Sequence, residues 1–273
     1  MSSTTPLPAA DDGKDLVAAA TTAYRKGQMA EAVELATKAL ALEPSSASLH
    51  RFRLQISMVA RRAEIALEDL DFLIQQDPQS AQLIDERGSE HFKAGHIEKS
   101  IADFNRAIEL RPDLEVQHWK RGISFYYAGK FDEGRKQFEG YQTFDDNDVE
   151  NAVWRYLCMA RGVGVEKARK EILQIKRDMR VPMMEVYDLY AGKAKPEDVL
   201  AAAKAGNPGP AELNNRLFYA HLYLGLYYEA AGDGRLALEH LVESEKHLIG
   251  HYMWDVAHVH VQRLSKAGTP KPE

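Results

Sequence analysis

The chain has 273 residues, of which 45% are apolar and 28% are charged, and its formal net charge is −6. This is an ordinary globular composition, and no apolar run reaches the ~18 residues needed to cross a bilayer, so we expect no membrane span. The negative charge argues against nucleic-acid binding, because contact with phosphates needs a basic surface.

A 34-residue period begins after the first dozen residues. Residues 1–12 are rich in Ser, Thr, Pro and Asp, and we expect them to form a disordered tail. Four repeats then fill residues 13–148, each predicted to be a pair of helices. Glycines recur at the turn between the two helices and prolines recur after the second helix: Gly27, Gly95 and Gly129, and Pro44, Pro78 and Pro112.

These spacings resemble those of the tetratricopeptide repeat (TPR) family. The resemblance is carried by the segments "YRKGQMAEAVELATKALALEP", "GSEHFKAGHIEKSIADFNRAIELRP" and "GISFYYAGKFDEGRKQFEGY". It implies an all-α fold, a right-handed superhelix or α-solenoid, in which each helix pair buries its apolar face only by stacking on its neighbours. It also implies a non-catalytic scaffold or adaptor that binds a peptide, a helix or a folded protein in a concave groove, without a cofactor.

The period breaks after "FDDNDVEN", and residues 149–217 are predicted to form a helical spacer module. It returns in "HLYLGLYYEAAGDGRLALEHLVESEKHL", so residues 218–266 are predicted to hold a fifth TPR-like repeat and a capping helix. Residues 267–273 are expected to be a second disordered tail. Within the spacer module we predict helices at 149–161, 165–178, 182–191 and 196–204.

The order of these parts also resembles the bacterial NlpI-type lipoproteins. The resemblance rests on "NAVWRYLCMA", on the returning "YLGLYYEAAGD" segment and on the final helix. It implies an adaptor for cell-envelope hydrolases or a protease, often a homodimer. The chain lacks the lipidated cysteine and the signal segment of that family, so we expect a cytoplasmic protein, with a periplasmic location as the alternative if a signal segment was trimmed.

The first helix of each TPR repeat usually lines the concave groove. Aromatic and arginine side chains there often anchor a partner, because they bury much area at little cost in entropy. For Trp119 and Tyr127, packing against the next helix or the spacer module is an equally good interpretation. The columns that usually face a ligand hold Tyr24, Arg51, Gln55, Asp85, Ser89, Phe92, Trp119, Ile123, Tyr126 and Tyr127.

A second 34-residue pattern is made of charged residues. Arg53, Arg87 and Arg121 stand in a column that is usually leucine, and Asp69 and Asp103 recur one helix later. We favour a structural ladder, in which each aspartate satisfies a buried guanidinium and fixes the stacking register. A row of anion-binding arginines is the alternative.

No catalytic motif occurs in the sequence, so we predict no enzyme activity, no cofactor and no metal. The alternative is an enzyme or metal-binding protein that uses a late group of histidines and acids. Self-association through exposed end helices is a third alternative. The late group consists of His240, His247, His251, His258 and His260, with Glu243 and Asp255.

Overall fold

The computed structural model describes residues 10–268, and within that range the chain forms fifteen α-helices, one short 3-10 turn and no strand. The predicted tails at 1–12 and 267–273 fall mostly outside the described residues, although the first helix already begins at Ala10. The chain divides into two compact units, Met1–Arg111 and Pro112–Glu273, called here the N-terminal and the C-terminal unit. The first three predicted repeats therefore belong to one unit and the fourth belongs to the other.

The N-terminal unit consists of three helix pairs. Ser46 and Ser80 cap the first helices of the second and third pairs by accepting hydrogen bonds from the main-chain N–H groups of Leu49 and Leu83. Arg61 stands where the other repeats have a turn glycine, and its φ is also positive, 53° against 75° to 77° for the glycines. The helices are α1 (Ala10–Arg25), α2 (Met29–Leu42), α3 (Ala47–Val59), α4 (Ala63–Gln76), α5 (Ala81–Lys93) and α6 (Ile97–Leu110).

Small residues lie where the two helices of each pair cross, as the repeat columns predict. Ala32, Ala66 and Ser100 are completely buried at this position. At Gly88 a Cβ atom would stand 2.8 Å from the ring of Phe104. The crossing therefore needs glycine on one helix so that an aromatic side chain can fill the space from the other.

The C-terminal unit begins with a 3-10 turn at Pro112–Leu114 and holds the remaining nine helices of the described residues. The returning repeat is formed by a long helix and the helix after it, and the long helix starts at Pro210 rather than near Phe218. The helices are α7 (Trp119–Tyr127), α8 (Phe131–Tyr141), α9 (Val149–Val163), α10 (Val165–Lys170), α11 (Met183–Tyr190), α12 (Pro196–Lys204), α13 (Pro210–Ala230), α14 (Gly234–Lys246) and α15 (Tyr252–Lys266).

One helix prediction in the spacer module is wrong. The helix predicted at 165–178 ends at Lys170, and residues 171–181 run without regular structure. Tertiary contacts outweigh the helical pattern here. Arg155 donates to the main-chain oxygen of Glu171, and the Asp178 carboxylate accepts a hydrogen bond of 3.3 Å from the main-chain N–H of Val149.

Candidate functional site

The arginine column predicted from the sequence makes ion pairs inside the N-terminal unit. Arg53 donates to both carboxylate oxygens of Asp69, at 2.9 Å from Nε and 2.9 Å from Nη2. His50 also bonds the same carboxylate, with its Nδ1 at 2.6 Å. Asp69 is completely buried, so three polar side chains satisfy one another inside the core.

The next arginine joins two repeats. Arg87 donates to Asp103 of its own repeat at 2.7 and 2.8 Å, and to Asp71 of the preceding repeat at 2.8 Å. The hydrogen bonds to Asp103 raise the pKa of Arg87 above its usual value. The geometry favours the structural interpretation over an anion-binding row, because carboxylates already engage the guanidinium groups.

In the C-terminal unit the arginine of this column donates to a different type of side chain. The column also contains one more arginine than the sequence analysis predicted. Arg121 donates to the side-chain oxygen of Gln137 at 2.8 Å, where the other repeats have aspartate. Arg155 follows Arg121 by a further 34 residues and donates to Glu139 of the preceding repeat at 2.8 Å. The boundary predicted at residue 149 thus falls at the start of a helix that still carries the repeat's arginine.

A mostly apolar groove lies between the first helices of the first two repeats. It includes two of the predicted partner residues, Tyr24 and Gln55, and has a volume of about 410 Å³. Tyr24 and Val59 are 37% and 49% exposed, which is high for large apolar side chains. We call it the α1/α3 groove, and it is lined by Thr21, Tyr24, Phe52, Gln55, Ile56, Met58 and Val59.

Exposed basic residues stand close in sequence to the lining residues of this groove. Arg51, a predicted partner residue, is exposed one helical turn before Gln55 and so shares its face of α3. Arg25 and Lys26 are exposed directly after Tyr24. No acidic side chain lines the groove among the described residues.

The structure corrects the assignment of several predicted partner residues to an open surface. On α5, Asp85 is partly buried, while Ser89 and Phe92 lie in the core. Ser89 donates to the main-chain oxygen of Asp85 at 3.1 Å, which accounts for its hydroxyl group. These positions share the repeat register of Tyr24 and Gln55 but not their exposure.

The predicted aromatic end of the groove is also buried, and for a different reason. Ile123, Tyr126 and Tyr127 on α7 are buried. The Tyr126 hydroxyl donates to Glu229 of α13 at 3.2 Å, and the Tyr127 hydroxyl lies 2.8 Å from Nδ1 of His260 on α15. Later helices of the chain itself therefore cover α7 at Tyr126 and Tyr127, and these positions are not open to a partner.

Among the predicted partner residues on α7, Trp119 stays partly exposed. Its ring stacks on His251 with centroids 6.0 Å apart and meets the edge of Tyr252. It stands at the edge of a pocket of about 380 Å³, called here the aromatic cavity. The aromatic cavity is lined by Trp119, Phe138, Tyr141, Asp148, Glu150, Asn151, Trp154, Arg180, Tyr219, His251 and Met253.

Charged groups at the aromatic cavity pair with one another. Arg180 donates to Asp148 at 2.5 Å, to Glu150 at 2.6 Å and to Asp178 at 2.6 Å. The hydroxyl of Tyr223 also donates to Glu150. Burial raises the pKa of Glu150 despite Arg180, whereas the hydrogen bonds from Arg180 outweigh the effect of burial at Asp178 and lower its pKa.

The late histidines do not form one site. His221 and His240 face each other with their Nδ1 atoms 3.0 Å apart, and His247 stacks on His221. His258 instead contacts Glu245, and His260 contacts Tyr127. No group of three histidine, cysteine or acidic side chains in the described part of the chain is arranged to hold a metal ion. The geometry therefore does not favour the metal-binding alternative.

The paired histidines lead to a prediction about pH. Burial, followed by repulsion from His240, lowers the pKa of His221 to about 4 from its ordinary value of 6.5. As the pH falls, His221 therefore takes up a proton in the unfolded chain before it does so in the folded chain. The contribution of His221 to stability is fully present above pH 6.5 and is lost between pH 6.5 and about 4. We expect this partly exposed group to contribute a loss of about 1 to 2 kcal/mol.

Urea denaturation at neutral pH and near pH 5 measures this loss. The His221→Gln variant should lose less stability than the wild type over the same interval, because glutamine does not titrate. Equal losses in the two proteins would show that His221 does not couple folding to pH.

No helix among residues 10–268 combines the length and the apolar character that crossing a membrane requires.

Comparison with known proteins agrees with the repeat pattern. The tetratricopeptide repeat model matches residues 81–114, which include the α5 and α6 pair. A solved tetratricopeptide repeat protein from Parabacteroides merdae has a TM-score of 0.54 and 13% identity, over 94% of this chain and 100% of that one. The MamA protein has a TM-score of 0.51 and 17% identity, over 74% of this chain and 99% of its own.

These likenesses show the fold, an all-α tetratricopeptide solenoid. They do not single out the NlpI-type family, whose resemblance stays a prediction from the order of the helices. The repeat columns, the matched repeat and the shared fold agree with one another. The chain contains a tetratricopeptide repeat at residues 81–114 and has the fold of the tetratricopeptide repeat proteins that it resembles.

Proposed function

We propose that this protein is a non-catalytic interaction scaffold whose α1/α3 groove binds an apolar segment of a partner protein flanked by acidic residues. TPR folds generally serve as binding scaffolds with concave interaction surfaces. The observation that carries the proposal is the exposure of Tyr24 and Val59 beside Met58 in columns that usually face a ligand.

The groove offers enough apolar surface to anchor a short segment. Full burial of one large apolar side chain stabilises a complex by roughly 1.5 to 3 kcal/mol before the cost of ordering is subtracted. Two partner side chains seated against Tyr24, Met58 and Val59 would therefore give a weak but specific complex.

The charge around the groove supports an acidic partner. Arg51, Arg25 and Lys26 are exposed and close in sequence to residues of the groove, and the lining contains no carboxylate within the described residues. Acidic residues beside the apolar anchors would meet these cations and speed association, with little effect on the final affinity. Association should therefore slow at high salt, because salt screens these charges.

A peptide library selected on the purified chain tests the proposal. We expect enrichment of apolar residues flanked by Asp or Glu, and at least tenfold weaker binding of the selected peptides to a Val59→Asp variant. The expected loss combines an apolar contact with repulsion between the new carboxylate and the acidic flanks. Fluorescence anisotropy with labelled peptides measures the affinities.

Leu42→Asp is the matched control. Leu42 is also an exposed apolar residue of the N-terminal unit, but it does not line the groove. The proposal is wrong if Val59→Asp and Leu42→Asp bind the selected peptides equally well. Sedimentation of the wild type and Val59→Asp separates the case in which a second copy of the chain occupies the groove, because only the variant would then be monomeric.

A further inference from the structure

The irregular segment between α10 and α11, residues 171–181, is held at both of its ends. At the first end Arg155 donates to the main-chain oxygen of Glu171. At the second end the Asp178 carboxylate accepts from the main-chain N–H of Val149. Both of these ties are made to α9, so the segment is fixed in place although it has no regular structure. We call it the basic segment.

The main chain between these two ties is unpaired. From Leu173 to Arg177, no main-chain N–H group donates a hydrogen bond and no main-chain oxygen accepts one, as far as the described residues extend. Buried main-chain groups are nearly always paired, so a run of unpaired groups is expected to face water. Gln174 and Lys176 are exposed on either side of the buried Ile175, which is the alternation of an extended chain. An extended chain with unpaired main-chain groups is a template for a second extended chain.

The basic segment and the helix before it carry an excess of positive charge. Residues 165–181 hold six Lys or Arg and three Asp or Glu, in a chain whose net charge is −6. Four of the cations are exposed and form no ion pair with any residue of the described range, namely Lys167, Lys170, Lys176 and Arg177. Glu171 is exposed as well, but it leaves most of this charge uncompensated. These cations are therefore available to a negatively charged ligand.

Large apolar side chains are exposed at the end of the same segment. Met179 is 71% exposed and Val181 is 39% exposed. The sulfur of Met179 accepts from Nε of Arg177, so a cationic and an apolar side chain are in contact here. A ligand on this surface would meet positive charge and apolar area side by side.

We propose that the basic segment binds an extended acidic segment of a partner protein, which pairs with the main chain of residues 173–177 as an added strand. In this mode main-chain hydrogen bonds supply the affinity and side chains at alternate positions supply the specificity. Acidic side chains of the partner would face Lys176 and Arg177, and an apolar one would cover Met179. Because both ends of the basic segment are already tied down, little entropy is lost on binding.

This site is separate from the α1/α3 groove. The basic segment belongs to the C-terminal unit, whereas the groove belongs to the N-terminal unit, and the two share no residue. The proposal therefore does not depend on the function proposed for the groove.

The charge of the whole chain favours a peptide over a nucleic acid or a membrane. A charge at the surface acts over about 8 Å at physiological ionic strength. A peptide that lies along the basic segment stays within that distance of its cations. A duplex or a lipid surface would also meet the rest of a chain whose net charge is −6. Nucleic-acid binding requires a more extensive basic face than this one segment provides.

A synthetic acidic peptide tests the proposal on the full chain. The probe is a labelled, blocked peptide of alternating glutamate and valine, seven residues long, and fluorescence anisotropy measures its affinity. We expect saturable binding. Hydrogen exchange gives a second readout, because the main-chain amides of residues 173–177 should exchange rapidly in the free protein and more slowly in the complex.

Modified probes separate the two kinds of contact. A probe with glutamine in place of every glutamate should bind roughly tenfold more weakly, because its ion pairs are lost. Two further probes are N-methylated, one on the valines and the other on the glutamates. Only one of these should still bind, because the N–H groups of alternate residues in an extended chain point to opposite edges. Equal affinities of the two N-methylated probes would refute the added strand.

A double variant tests the cations of the chain. Lys176→Gln combined with Arg177→Gln should weaken binding of the original probe roughly three- to tenfold, as expected for the loss of two exposed ion pairs. Lys193→Gln combined with Lys195→Gln is the matched control, because these lysines are also exposed in the C-terminal unit but lie outside the basic segment. The control should bind as the wild type does, and equal affinities of the two double variants would overturn the proposal.

Other occupants and other sites give different results. If Val59→Asp loses the probe while the double variant at Lys176 and Arg177 keeps it, the probe occupies the α1/α3 groove and the proposal is wrong. It is also wrong if phosphatidylserine vesicles or a single-stranded DNA oligonucleotide protect residues 173–177 from exchange and the peptide does not. Failure of the groove to select any peptide would leave these results unchanged.

Discussion

Replacement of Asp69 by alanine should lower the free energy of unfolding by about 3 to 5 kcal/mol, the cost typical of breaking a buried ion pair. Asp69 is completely buried and is the shared acceptor of Arg53 and His50. Its removal leaves the Arg53 guanidinium in the core, where only the exposed Glu68 remains as a carboxylate partner. The two ring nitrogens of His50 would also keep only the contact with the main-chain oxygen of Pro44. Urea denaturation measures the loss.

Asp71→Ala is the control for this prediction, because Asp71 also pairs with an arginine of the same column. Its side chain is 56% exposed, and Arg87 keeps Asp103 when Asp71 is removed. An exposed ion pair contributes about 0 to 1 kcal/mol, so this variant should be close to the wild type. Equal effects of the two changes would refute a structural role for the buried pair. If Asp69→Ala keeps the free energy of unfolding of the wild type, an anion-binding role would be the better interpretation of the arginine column.

The repeat architecture could be predicted from the sequence because its signals are local. The turn glycines, the residues that end each helix and the small residues at the crossings repeat every 34 residues, and each follows from the backbone or from the space at its own position. Arg61 shows why one missing glycine did not matter: the turn keeps its conformation, with φ 53°, when the rest of the repeat is in place.

The partner surface could be predicted only in part, because register gives the face of a helix but not what packs on it. Tyr24 and Tyr126 occupy the same repeat column, yet the first is exposed and the second is buried. Tyr126 is covered by Glu229 and its helix, more than a hundred residues later in the chain. No 34-residue pattern carries that information.

The aromatic cavity was not predicted, since its parts come from elements far apart in the sequence. Trp119, Trp154, Tyr219 and His251 lie on four different helices or their caps. Arg155 could have been found by continuing the 34-residue step once more, because the arginine persists after the prolines and turn glycines of the period have ended. The segment that includes Asp178 could not, since its conformation depends on a tertiary contact with Val149.

The second large effect is expected at the crossing of α13 and α14. A Cβ atom on Gly225 would lie 2.5 Å from Cγ of Leu241 and 3.0 Å from the main-chain oxygen of Ala237. Leu241 is completely buried and the oxygen belongs to a helix, so neither can move without shifting α14. We expect Gly225→Ala to lose about 2 kcal/mol even after the gain in helix propensity, and Gly225→Val to lose more.

Gly140→Ala makes the same chemical change where the space is open. Gly140 lies within α8, and a Cβ atom there would meet nothing within 4 Å. Alanine should therefore stabilise this helix by about 0.5 to 1 kcal/mol, since glycine is the poorer helix former. If close packing at the crossing requires glycine at position 225, Gly225→Ala should lower the free energy of unfolding and Gly140→Ala should raise it. Thermal or urea denaturation of the two variants measures both changes. A stabilised Gly225→Ala protein would mean that α13 and α14 can separate, and that the returning repeat does not depend on the crossing glycine.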